Sequence, residues 1–141
     1  MYTKILIPLD RSSSDQTILT HIRSLARLTG GELILVHVAD GYVARLQEQL
    51  DLADSQEIQE DNVYLSERVE ELQKEGFQVK SHLCSGHPPD EILKIAQKES
   101  CDLIAMATHG HRLVKDVLLG SVADNLRHRT NIPILMIRSS A

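Results

Sequence analysis

A parallel β-sheet covered by helices on both faces, an α/β fold, is what this sequence predicts, and three observations carry the prediction. Short apolar runs such as Ile5-Leu6-Ile7 and Leu33-Ile34-Leu35-Val36 are continuous, as in strands buried on both sides. Stretches with helical apolar spacing separate them, giving the order β-α-β-α-β-α-β-α-β, in which parallel strands and right-handed crossovers are the favoured arrangement. At 141 residues, the chain is expected to form one domain over residues 1–141, burying roughly 68–70% of its unfolded surface without metal or disulfide.

The first strand is expected over residues 3–8, ended by Pro8. Asp10-Arg11-Ser12-Ser13-Ser14-Asp15 then offers several side-chain oxygens able to cap a helix. Ile18, Ile22, Leu25 and Ala26 share one face of that helix, and Gly30-Gly31 stops it. Residues 32–39 form the second strand, interrupted only by His37, read first as a satisfied histidine in the core or at the strand end and otherwise, being beside Val38, as a site residue near a ligand.

Residues 40–75 hold eleven acidic residues against Arg45, Arg68 and Lys74, a balance of −8. Tyr42, Val43, Leu46 and Leu50 are expected on one helical face, over a segment expected to be the least rigid in the chain and a lid for the site. Ile58, Leu65, Val69 and Leu72 mark a second, longer helix ending at Gly76. Its acids are read as a solvated face.

Residues 77–84 alternate apolar and polar side chains, which predicts a strand at one edge of the sheet. Pro88-Pro89-Asp90-Glu91 is a helix first turn, with Ile92, Leu93, Ile95 and Ala96 as its buried face. A fourth strand follows over 102–106. Ser121 and Asp124 resemble a capping box at the start of the last helix, and residues 132–137 supply the last strand. Arg127, His128 and Arg129 at the end of that helix are read as cations meeting its dipole.

Composition excludes several classes. A net charge of −5 disfavours nucleic-acid binding, and 3% aromatic residues leave few platforms for stacking bases. No apolar run is long enough to span a membrane and no signal sequence is visible, while Cys84 and Cys101 are too few for a disulfide framework. A cytoplasmic protein is expected. Both cysteines are read as small packed residues. His82, Cys84, His87, His109 and His111 lack the spacing of a metal site, and none of them is assigned as a metal ligand; no catalytic residue is assigned.

The chemistry concentrates in Ala107-Thr108-His109-Gly110, continuing to Gly120-Ser121, where a strand gives way to a glycine-bearing loop and a helix start. Free N–H groups at such a start, with the helix dipole behind them, attract phosphate. Neither Gly-x4-Gly-Lys-[Ser/Thr] nor Gly-x-Gly-x2-Gly occurs. The loop instead resembles the Gly-x2-Gly-x9-Gly-[Ser/Thr] signature of the universal stress protein family. Gly110, Gly120 and Ser121 fall in register, and Ala107 takes the place of the first glycine. Residues 5–10, 35–38 and 132–137 look like that family's first, second and last strands.

The resemblance implies an adenine nucleotide alpha hydrolase-like, Rossmann-like sheet of five parallel strands in the order 3-2-1-4-5. It implies ATP, ADP or AMP as ligand. Pro8, Leu9, Asp10 and Val38 would surround adenine and ribose, while Met106, Ala107, Gly110, His111, Arg112, Gly120, Ser121 and Val122 would line the phosphates. Mg2+ is a further expectation, with Asp10 as its holder. Also implied is a homodimer paired through Ile134 to Ile137, acting in the stress response on a protein partner the sequence does not name. A nucleotide-free interaction protein and a slow ATPase are the alternatives. Ala107 matters because its methyl either intrudes slightly on the ligand or, if the backbone must be left-handed there, costs about 1–2 kcal/mol.

Overall fold

The computed structural model describes residues 1–40, 56–109 and 122–139. The elements are β1 (Lys4–Pro8), α1 (Ser14–Thr29), β2 (Glu32–Asp40), α2 (Gln56–Lys74), β3 (Val79–Gly86), α3 (Pro88–Lys98), β4 (Leu103–His109), α4 (122–127) and β5 (Ile134–Ser139). The expected helix around Tyr42 to Leu50, with its lid role, and the loop from Gly110 to Ser121 lie outside the described residues. All five strands are parallel and stand in the order β3-β2-β1-β4-β5.

Alternate side chains of the central strands feed two cores. Ile5, Ile7 and Leu9 of the β1 segment, Leu33 and Leu35 of β2, and Leu103, Ala105 and Ala107 of β4 face α1 and α2. Leu6, Ile34, Val36, Ile104 and Met106 face the other way, onto Ile92, Ile95 and Ala96 of α3 and Ala123 and Leu126 of α4. The continuous apolar runs therefore report strands with no wet face. β3, which alternates, is at one edge as expected.

Helix ends follow local chemistry with one correction. Gly30, at φ 70°, closes α1 by donating its N–H to the Ala26 carbonyl at 2.8 Å. His87 precedes the two prolines that open α3. At α1, however, the N-cap Ser13 makes no side-chain capping bond. Of the oxygens expected to cap the helix, Ser12 Oγ accepts the Ser14 N–H at 3.2 Å, while Asp15 turns back onto the amides of Asp10 and Arg11 in the loop before it.

Truncation should separate the core from the surface. Ile7→Ala, at a fully buried position, should cost about 2–5 kcal/mol in urea unfolding, and Leu28→Ala, 86% exposed, about 0.5 kcal/mol or less. Equal costs at the two positions would contradict the layer assignment.

Candidate functional site

Strand order reverses between β1 and β4, which is where open parallel sheets place a ligand crevice. The β1 and β4 ladder pairs only Ile5 with Leu103 and Leu6 with Ile104, whereas β1 runs to Pro8 and β4 to His109. The two strands thus reach their carboxyl ends beyond their shared ladder. Pro8, Asp10 and Val38 are half-buried at this end of the sheet. Val38 and Val122, the latter at the start of the described part of α4, pack against the α3 and α4 core.

Other predicted residues sit deeper. The Leu9 side chain is buried against α1, and Met106 is fully buried on the opposite face. Ala107 is 5% exposed, paired with Ile137 in the β4 and β5 ladder, and its methyl belongs to the α1 core. The left-handed non-glycine residues among those described are Tyr2, Arg11 and Ser100. Ala107 has ordinary strand backbone, so the cost of a left-handed alanine does not arise. Gly110, His111, Arg112, Gly120 and Ser121 lie outside the described residues.

The loop after β1 is held by a polar network. Asp15, 3% exposed, accepts the Asp10 N–H through Oδ1 at 3.1 Å and the Arg11 N–H through Oδ2 at 2.9 Å. The Tyr64 hydroxyl donates to Oδ2 as well, at 2.6 Å. Asp10 Oδ1 accepts the Ser12 N–H at 3.0 Å and the Ser12 hydroxyl, an Asx-type turn. The Leu9 carbonyl can only accept, so His37 Nδ1, 2.8 Å away, carries the proton between them. On α2, Asp61 is 2% exposed and accepts Arg11 Nη1 at 2.7 Å, with His37 Nε2 3.5 Å from the same oxygen. Arg11 itself has φ 64°, which costs about 1–2 kcal/mol at a residue with a side chain.

Among the described residues, His82 and His87 have partners of their own. His82 Nε2 is 2.8 Å from Glu99 and His87 Nδ1 3.3 Å from Asp90, while Asp90 also accepts Arg129 Nη1 at 2.8 Å. Arg129 thus ties the end of α4 to α3, a contact beyond the dipole interaction that the sequence suggests. Burial pushes the Cys84 thiol up and the Cys101 thiol up to about 11, as suits packed rather than reactive groups.

Known proteins share this architecture. Residues 1–138 match the model of the Universal stress protein family. The chain belongs to that family. Universal stress protein MJ0577 of Methanocaldococcus jannaschii is 32% identical over 155 residues, spanning 98% of this chain and 96% of the relative. Its solved structure superposes with a TM-score of 0.85 at 34% identity, covering 99% of this chain and 98% of that one. An Archaeoglobus fulgidus universal stress protein, solved in complex with dAMP, shares the fold at a TM-score of 0.70 and 24% identity, covering 96% and 98% of the two chains. Another universal stress protein, in complex with cAMP, does so at 0.65 and 19%, covering 99% and 98%. Among the described residues, no helix is long and apolar enough to cross a membrane.

Sequence reading misses the α2 side of the site. Asp61 follows Ile58 by three residues and precedes Leu65 by four, so it lies on the helix's apolar stripe. An acid at such a position is the signal for a buried partner. Amid eleven acids, it passes for a solvated one.

Burial raises the Asp15 carboxyl from its ordinary 3.8 to about 6, opposed by the Tyr64 hydroxyl and the two amides. The folded chain then binds more protons than the unfolded one between those values. Asp15 therefore contributes stability at low pH that is lost as pH rises through about 6. In urea unfolding, the parent should gain about 1 kcal/mol on Asp15→Asn between pH 7 and pH 5. A difference that is constant, or larger at pH 7, would contradict this.

Proposed function

We propose that the crevice between the ends of β1 and β4 binds an adenine nucleotide, ATP foremost, and that the protein is a nucleotide-binding regulatory module of the stress response. The observation that carries the reading is the strand reversal between β1 and β4: Asp10 follows β1, and in the sequence Gly110, Gly120 and Ser121 follow β4. Two features add support: an intact Gly-x9-Gly-Ser spacing, and dAMP and cAMP bound by members of the same fold. Asp10 accepts from a ribose hydroxyl beside Pro8 and Val38. Gly110, His111, Arg112, Gly120, Ser121 and Val122 meet the phosphates, Mg2+ accompanying them. Leu9, Met106 and Ala107 contribute backbone and shape, because their side chains are buried.

Hydrolysis is not part of this proposal, since no residue of the chain stands out as the base or water-positioning group that phosphoryl transfer needs. A single cytoplasmic domain over residues 1–141, paired as a homodimer, completes it. Edge strand β5 carries Met136, 55% exposed, between half-buried Leu135 and Ile137, and antiparallel pairing of two copies over 134–137 would cover it. Met136→Asp should convert a dimer to a monomer in light scattering, and a parent that is monomeric at high micromolar concentration would contradict the pairing.

Calorimetric titration with ATP and Mg2+ tests the ligand. Because its methyl packs under α1, Ala107→Gly should bind within about threefold of the parent and lose about 1 kcal/mol of stability. Gly110→Val should lose about tenfold or more in affinity, and Asp10→Ala its preference for ribose over deoxyribose. No heat with millimolar ATP in either the parent or Ala107→Gly would replace this reading with that of a nucleotide-free interaction protein.

A further inference from the structure

The loop that carries Asp10 is held in place from α2, a helix that follows it by some forty residues in sequence. Two routes run between them. Asp61 binds Nη1 of the Arg11 guanidinium at 2.7 Å, with Glu60 3.7 Å from Nη2. Tyr64 donates to the Asp15 oxygen that also accepts the Arg11 N–H, while the second Asp15 oxygen accepts the N–H of Asp10. Both routes converge on Arg11, whose left-handed backbone is the costly conformation in the loop.

These contacts are not what holds α2 on the sheet. Leu65 and Leu72 are buried in the core, and Arg23 of α1 clamps the far end of α2 through Glu71 at 3.2 Å and Glu75 at 2.9 Å. An apolar side chain at position 61 would serve packing at less desolvation cost than a carboxylate. What the carboxylate adds is a fixed anchor for Arg11. The Tyr64 ring supports it, with the Arg11 and Arg68 guanidinium carbons 6.0 Å and 4.9 Å from its centroid.

We propose that Asp61 and Tyr64 are positioning residues of the nucleotide crevice, which hold Asp10, through Arg11 and Asp15, in the orientation that distinguishes ribose from deoxyribose. The inference rests on the nucleotide reading above. It assigns the amino-terminal half of α2 to the site, although neither residue touches the ligand.

The test compares ATP with 2′-deoxy-ATP in the parent, Tyr64→Phe, Asp61→Ala, and Asp61→Ala combined with Arg11→Gly. The parent should prefer ATP, and the two single variants should narrow that preference about threefold to tenfold, the scale of one hydrogen bond. The double variant should regain it, because glycine holds the left-handed backbone without an anchor. In ligand-free Tyr64→Phe, which keeps the ring, the Asp10 and Arg11 amides should exchange faster than in the parent. Equal losses for both nucleotides, an unchanged preference in the single variants, or no recovery in the double variant would overturn the inference alone, and a parent that binds both nucleotides equally would overturn it together with the ribose role of Asp10. A parent that binds neither overturns the nucleotide reading as well.

Discussion

The rest of the structure depends on one constraint: β1 has no face to give to water. Ile5, Leu6 and Ile7 are all fully buried, so helices must cover the sheet on both sides. With α1 and α2 on one face and α3 and α4 on the other, the chain first builds outward from β1 to β2 and β3 and then returns to lay β4 and β5 along its other side. That return creates the strand reversal. The reversal is thus a by-product of covering a wholly apolar central strand, and it brings the carboxyl ends of β1 and β4 next to each other.

Covering the sheet also creates a polar problem at its carboxyl end, where the chain leaves β1 and backbone groups lose their ladder partners. Asp15 takes the amides of Asp10 and Arg11, and His37 takes the carbonyl of Leu9. Burying Asp15 in turn requires donors, and Tyr64 supplies one. Charge-assisted bonds in a poorly solvated setting are strong when complete and costly when broken, so the network favours one loop conformation over many. Asp10 is part of that network through both its amide and its carboxylate.

Strands were legible in the sequence because a short, continuous apolar run suits a strand buried on both faces, and the alternation over 77–84 marked the strand that lies at the sheet edge, although its Leu83 and Cys84 pack toward opposite cores. Sheet order was not legible in composition or periodicity; it came with the family resemblance, and the observed order agrees. Ala107 illustrates a limit of motifs. Spacing identified it as a replaced glycine, but only the ladder with β5 shows its methyl inside the core and its backbone unstrained. Asp61 and Tyr64 escaped notice because a buried acid and a solvated acid look alike until the helix face is known. At the start of α1 the oxygen that meets the first helical amide is that of Ser12 rather than Ser13, and Asp15 turns to the preceding loop.

The central claim is that an adenine nucleotide binds where β1 and β4 end, and backbone amide shifts of the 15N-labelled chain during an ATP titration test it most directly. The account predicts saturable changes that are largest around Asp10, Val38, Ala107 and Val122 and small along β3 and the outer face of α2. No saturable change at millimolar ATP, or the largest changes on β3 or at the open edge of β5, would contradict it.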